Sequence, residues 1–293
     1  MSDEFGDRMK MYESFETKRS FLPMLPVYAR IDGRGFSNFT RGMKRPYDTD
    51  MMAAMIQTTK HLVEHTHAKI GYTQSDEISL TWHAPEYESS IFFNGKVMKM
   101  TSVLAGLATA AFTKAVLESP NETFRAYADR LPHFDARVIS MPSQEEVANM
   151  FLWRNQDATK NAISMAAQHY FTHKSLHGVN SAQMQERLWK EQGINFNDYP
   201  EAFKRGTFVT RQVVQRAFTE EELEKIPENR RPDKDTLIYR NVVTPIEMPI
   251  FSKVTNRVGV IFNNEAPVIL EEPVDPVADR IVESLQGYCQ RAN

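Results

Sequence analysis

Cysteine is almost absent: the 293 residues hold one, Cys289. A single thiol closes no disulfide within the chain and builds no cysteine-based zinc site, which favours a reducing, cytoplasmic location. Long apolar runs are missing as well. The most apolar stretch, Val103 to Phe112, falls far short of the roughly 20 residues a membrane-spanning helix needs. The N-terminal MSDEFGDRMK is polar and charged, so no secretory signal is expected there. There is no internal repeat and no low-complexity tract. Nor is there an excess of positive charge: 35 Lys and Arg stand against 38 Asp and Glu, a formal net charge of −3. Any surface for nucleic acid must then be a local basic patch or be assembled across subunits.

What is there is the makeup of a globular protein, 41% apolar and 25% charged. The length suits one large domain or a core with a substantial extension. Residues 1–22 read as a helical lead-in and Val27–Ile31 as a buried strand ending at Asp32-Gly33. Thr49 or Asp50 looks like a helix cap, followed by Met51, Met55, Ile56, Thr59, Leu62 and Val63 at helical spacing as far as His65. Two short strands, Lys69–Tyr72 and Ile78–Trp82, flank a turn at 73–77. A second helix is expected over Lys96–Leu117 and a further strand over Phe134–Ser140. The order strand, helix, strand, strand, helix, strand is the split βαβ pattern of a ferredoxin-like α+β sheet. It is also that of a polymerase palm: an antiparallel sheet with helices on one face, in which strand one lies beside strand three and brings Asp32 near Asp76. This core takes residues 1–140.

Residues 141–293 read as a mostly helical, partly β-rich extension packed on that core rather than a separate domain. Ser143 to Glu146 fits a capping box, with helices expected over 157–171, 182–191 and near Pro276–Cys289. Gly206–Gln215 and Val254–Phe262 read as β-rich, and 219–236 as a helix with an exposed loop.

Two groups of residues carry chemistry. Asp32-Gly33 and Asp76-Glu77 would place carboxylates at adjacent strand ends. Magnesium takes hard oxygen ligands in octahedral geometry, and such carboxylates can hold two ions about 3.5–4 Å apart. The same residues would also serve as ordinary solvated turns. The second group is basic: Arg34, Arg41, Lys44 and Arg45, then Lys96 and Lys99 at the head of a helix. Near a two-metal site these could clamp a triphosphate; otherwise they form a solvated face. Of His61, His65 and His67, the first two are four apart and could share a metal, but no Glu-x-x-His framework surrounds them and no cysteine is near, so an exposed helix end is the better reading.

At these residues the chain resembles the tRNA-His guanylyltransferase family, including its guanylyltransferase-like members that repair tRNA 5′ ends. The segments that carry the resemblance are Arg30-Ile-Asp-Gly-Arg-Gly-Phe36, Tyr72-Thr-Gln-Ser-Asp-Glu-Ile-Ser79, Phe134-Asp-Ala-Arg137, Trp153-Arg154 with Asp157, and Phe203-Lys-Arg-Gly206. Each is weak alone; in this order and spacing they are jointly specific. The resemblance implies an enzyme, a nucleotidyltransferase that runs 3′-to-5′ on a palm. ATP or GTP first activates a tRNA 5′-monophosphate, and the 3′-hydroxyl of an incoming nucleoside triphosphate then displaces the activating nucleotide. It implies that Asp32, the Gly33 carbonyl and Asp76 hold two Mg2+ ions, with Glu77 supporting the catalytic site. It places Arg34, Gly35, Phe36, Lys44, Ser75, Lys96, Lys99 and Asn161 on the nucleotide, and Arg137, Arg154, Lys204 and Arg205 on the RNA. The expected partners are tRNA and further copies of the chain, as a homotetramer.

The chain also departs from the eukaryotic pattern. Where eukaryotic members carry His-Ile-Asn-Asn-Leu-Tyr-Asn, it reads Thr159-Lys-Asn-Ala-Ile-Ser-Met165, and its first loop has Gly35 and Ser37 in place of Asn and His. These changes resemble the bacterial and archaeal-type members. They point to template-directed repair of truncated tRNA 5′ ends, in which base pairing chooses the nucleotide. The competing readings are strict addition of one G to tRNA-His, a non-catalytic tRNA-binding palm, and another palm chemistry such as nucleotide cyclisation.

Overall fold

The structure, a computed structural model, describes residues 3–270. The helix expected near Pro276–Cys289 lies outside them. Helix α1 (Glu4–Thr17) buries none of its residues. Strand β1 (Val27–Gly33) leads through the short α2 (Phe36–Phe39) to α3 (Thr49–Thr66). Asp48 caps α3, accepting from the Asp50 and Met51 amides. The cap therefore falls one residue before the positions expected, because Asp48 is the last residue with extended backbone. Strands β2 (Ile70–Gln74) and β3 (Glu77–Trp82) form a tight hairpin, followed by α4 (Val97–Leu117), α5 (Glu122–Arg125) and β4 (Phe134–Ser140).

The sheet order is β4-β1-β3-β2, all antiparallel, which is the palm arrangement; β5 (Thr207–Ala217) then pairs with β2, and β6 (Leu237–Ile246) with β5. Alternation along β1 assigns its side chains to two cores. Val27, Ala29 and Ile31 face α3 and α4 together with Met55, Leu62, Leu104 and Phe112. Tyr28 faces the other way, with Ile70, Tyr72 and Phe208. Burying one such Ile or Phe stabilises the fold by about 1.5–3 kcal/mol.

The palm's own helices thus share one face, and the extension closes the other. Its main element is α6 (Gln144–Tyr170), capped by Ser143, whose hydroxyl accepts from the Glu146 amide. Val147 and Phe151 of α6 pack on Tyr28, joined by Phe251 and Ile261. The cap and the stretch expected as a separate helix over 157–171 belong to this one continuous element. Helices α7 (Ser181–Gln192), α8 (Glu201–Arg205), α9 (Glu220–Glu224) and α10 (Arg257–Asn263) complete the extension. Residues 254–262, expected to be β-rich, instead lead into and form α10. Its Val260, Ile261 and Phe262 are buried, and a short apolar run has no period that distinguishes helix from strand.

Gly206 makes the junction between extension and palm possible. At φ +74° it sits against β2, and a Cβ there would come within 2.5 Å of the Thr73 carbonyl oxygen and 2.7 Å of the Tyr72 ring.

Candidate active site

Backbone pairing assembles the carboxylates. Asp32 lies opposite Glu77 in the β1–β3 register, and the Gly33 amide donates to the Asp76 carbonyl at 3.0 Å. The β2–β3 turn is tight enough to need a positive φ at Ser75, +50°. The Ser75 hydroxyl donates to Asp76 Oδ1 at 3.0 Å. Gly33 has no room for a side chain, since a Cβ would run into the Phe36 ring. Phe36 in turn is locked among Phe39, Phe112 and Phe134 at centroid distances of 4.9 to 5.5 Å. The end of β1 is therefore held on a rigid aromatic base.

The two neighbouring acids do different things. Glu77 is 6% exposed, and both its oxygens are taken by Arg154, Nε at 2.6 Å and Nη2 at 2.7 Å. Burial still pushes its pKa above the ordinary value, against the Arg154 bonds. Arg154 reaches on to Asp157 at 3.1 Å. Among the described residues no cation sits on Asp76. Burial raises its pKa, and the charges of Asp32 and Glu77 raise it further. Asp32 has Arg137 only at 4.0 Å.

An uncompensated Asp76, repelled by Asp32 whose nearest cation is the exposed Arg137, makes a site whose charge asks for a metal. Among the described residues no group of three or more His, Cys, Asp or Glu gathers into a closed cage. Asp32, Asp76 and the Gly33 carbonyl offer hard oxygens only and leave most coordination positions to water and phosphate. That donor set fits magnesium and not zinc. Glu77 is not free to ligate, because Arg154 occupies it.

In front of these carboxylates opens a cleft of about 570 Å³, within the range of small-molecule sites. One wall is the Lys44–Asp48 segment with Met51 and Met52 of α3; the other is α6 from Arg154 to Gln168; Ala202 and Phe203 of α8 close the side. Lys44 holds its place through its amide, which donates to Asp48 Oδ2 at 3.2 Å. Tyr47 stacks on Phe203 with centroids 4.9 Å apart, tying the two walls together.

A palm sheet with an acidic hairpin facing a nucleotide-sized cleft narrows the choice, and comparison with known proteins decides it. Residues 6–142 match the family described as tRNAHis guanylyltransferase, and residues 145–248 match the one described as Thg1 C terminal domain. The chain belongs to the tRNA(His) guanylyltransferase family. It is accordingly a nucleotidyltransferase. It is 40% identical to a bacterial tRNA(HIS) guanylyltransferase (Thg1)-like protein solved in complex with ATP, with a TM-score of 0.65, covering 71% of this chain and 88% of that one. A second such bacterial structure, in complex with GTP, matches at 33% identity and a TM-score of 0.64 over 86% of this chain and 95% of the other. Among curated relatives, the tRNA(His) guanylyltransferase of Debaryomyces hansenii is 28% identical over 70% of this chain and 80% of its own length.

Within this guanylyltransferase fold, the residues singled out from the sequence part company. Asp32, Phe36, Lys44, Ser75, Asp76, Glu77, Arg154 and Asn161 line the cleft. Arg34 and Gly35 lie beside it on the exposed β1–α2 turn without lining it. Arg137 is exposed on β4 next to Asp32. Lys96 and Lys99 do not join the site. They are exposed at the head of α4, while Phe112, 16 residues further on, is the part of α4 that touches Phe36. At 1.5 Å per residue that separation is roughly 24 Å.

Two of the expected RNA contacts are also corrected. Arg154 is buried under Glu77. Lys204 is 4% exposed, its ammonium held by the Asn197 carbonyl at 2.5 Å and Glu201 at 2.6 Å. Neither side chain is presented to a ligand as large as RNA. Arg205 is partly exposed but paired with Glu201. Among cleft residues the sequence reading missed, Tyr47 and Met51 stand out. Met51 was visible only as an apolar helix position, and nothing in the sequence separates a cleft-lining Met from a core one.

Proposed function

We propose that this enzyme adds nucleotides in the 3′-to-5′ direction to the 5′ end of tRNA, with the opposite strand as template, using two magnesium ions. The observation that carries the reading is the convergence of Asp32 and Asp76, with no cation nearer than Arg137 at 4.0 Å from Asp32, at a cleft sized for a nucleoside triphosphate. Asp32, Asp76 and the Gly33 carbonyl would hold the ions. Bound there, magnesium would neutralise phosphate charge and acidify the attacking hydroxyl. Lys44 and the Ser75 hydroxyl would grip the triphosphate from either side of the carboxylates, with Asn161 reaching from α6. Arg137, beside Asp32, would meet the RNA phosphate next to the 5′ end.

ATP or GTP would activate a 5′-monophosphate with loss of pyrophosphate. The 3′-hydroxyl of the next nucleoside triphosphate would then attack the 5′ phosphorus, and the activating nucleotide would leave as its monophosphate. Template direction is supported by the chemistry of the α6 wall. Between Arg154 and Gln168 it offers the cleft Ala158, Asn161, Ala162, Ser164 and Met165, and Asn161 is itself within 3.4 Å of Asp157. The two amides on that wall, Asn161 and Gln168, each donate to a neighbour on the same helix, Asp157 and Ser164, so pairing with the opposite strand would supply the choice. The near-neutral charge supports a homotetramer as the working form, because a long RNA footprint then draws on several subunits. A monomer in light scattering at working concentration would overturn that assembly.

The test is a tRNA lacking its first nucleotide, incubated with Mg2+, ATP and all four nucleoside triphosphates. Addition of the complementary nucleotide, lost in Asp76→Ala, is the expected result. Addition of G alone, confined to tRNA-His, would make the enzyme a strict guanylyltransferase. RNA binding with no addition would make it a binding protein.

A further inference from the structure

Some 15 Å along α3 from the cleft residue Met51, by helix rise, the structure brings two histidines together. His61 and His65 are one turn apart, and their rings stack with centroids 3.8 Å apart and planes at 23°. His65 Nδ1 lies 2.9 Å from the His61 carbonyl oxygen. A carbonyl only accepts, so the proton sits on Nδ1 and the Nε2 lone pair is left outward. That is how ligating histidines are commonly fixed, one ring nitrogen on a backbone carbonyl and the other on the metal. Among the described residues nothing donates to or accepts from the His61 ring. Both rings are partly or fully open to solvent.

We propose that His61 and His65 form a two-imidazole site for a divalent transition-metal ion of the zinc, nickel or copper class, separate from the magnesium centre. Imidazole nitrogen suits these ions and not magnesium, so with magnesium in excess the carboxylate site is filled and the histidine pair stays open to them. The surroundings favour a cation. The pair occupies the last turns of α3, where the carbonyl end of the helix dipole is negative. Glu64 lies between the histidines in the run His61-Leu-Val-Glu-His65, and its charge acts on His61, as Lys114 does with the opposite sign. Arg211 is committed to the Glu64 carbonyl at 3.4 Å. Stacked rings hold their lone pairs in nearly parallel planes, so the unbonded His61 ring would turn out of the stack to meet an ion on His65; water would fill the remaining positions, binding would be exchangeable, and it would cross-link residues 61 and 65 over one helical turn.

The test titrates Ni2+ and Zn2+ separately into the full chain carrying Cys289→Ser, which removes the lone thiol as a competing ligand. Wild-type histidines should give one site per chain and a zinc-dependent rise in Tm. His61→Asn and His65→Asn should each weaken binding by about tenfold or more and abolish the rise in Tm, with magnesium-dependent nucleotide addition and circular dichroism unchanged. Asn can reproduce the Nδ1 donor but not Nε2, so His65→Asn keeps the helix bond while removing the ligand. Asp32→Ala with Asp76→Ala should leave the titration as it was. Unchanged binding in both histidine variants, or loss of binding in the aspartate variant, would overturn the site. Neither result bears on the proposed RNA reaction, which is read in magnesium alone.

Discussion

The two ends of the palm treat charged residues in opposite ways. At one end, where β1 gives way to its turn and β2 meets β3, Asp32, Asp76 and Glu77 are crowded together and partly stripped of water. At the other, Lys96 and Lys99 stand in solvent at the head of α4, near Phe93, with Lys99 5.9 Å from its ring centroid. Charge brought together against its own repulsion must be held there by something else. Here that is the hydrogen bond from Gly33 to Asp76, the Phe36 cluster and the Arg154–Glu77 pair. Charge left in water needs no such support. The difference separates charges the fold supports from charges it leaves to solvent.

Four tests would break or sharpen that contrast. The largest effect is expected from Glu77→Gln, which leaves the Arg154 guanidinium buried without its main partner and should cost about 3–5 kcal/mol in urea unfolding. Adding Arg154→Met should recover most of that stability without recovering activity, because the charge left unpaired is then gone. Next, Asp32→Asn should lower the rate of nucleotide addition by about 10²–10³-fold, with tRNA affinity in a filter assay little changed. Third, Lys44→Ala should raise the KM for nucleoside triphosphate about tenfold, whereas Lys96→Ala should stay within about twofold. A larger effect at Lys96 would mean that the far end of one chain reaches the cleft of another. The smallest effect concerns pH. Asp76 binds its proton more tightly in the folded than in the unfolded chain. Its ionised form therefore works against folding, a cost absent below the ordinary carboxylate range and present once the pH has risen through the raised value. Asp76→Asn should accordingly raise Tm slightly at neutral pH and not below about pH 4, and added magnesium should narrow the gap by stabilising the wild type.

Much of this was legible in the sequence where local pattern decides the outcome. β1 and β4 follow from their apolar runs and α4 from its apolar spacing, and the strand order placed Asp32 beside the Asp76 turn. Legibility failed where distant residues decide. α6 did not read as one helix because Arg154, Asn155 and Asp157 interrupt its apolar rhythm, yet two of these polar residues are buried against Glu77 and the Arg205 carbonyl. β6 was missed because it holds Asn241 and Pro245 and, among the described residues, pairs with β5 alone, across an intervening charged stretch. Arg154 and Lys204 were read as contacts for RNA, since a basic letter carries no mark of whether it ends in solvent or beneath a carboxylate. Lys96 and Lys99 were linked to the site by alignment of type, and only the length of α4 shows how far away they are.

The tight seat of Gly206 also bears on how such a protein could be divided. The palm sheet does not stop at β2; it continues into β5 through a contact with no space for a single methyl group. A palm excised at residue 140 would expose the backbone edge of β2 and the apolar underside formed by Tyr28, Ile70 and Tyr72. Such a fragment would be prone to add strands from its neighbours and to precipitate, so protein engineers seeking a minimal nucleotidyltransferase from this family should leave the seam at Gly206 intact.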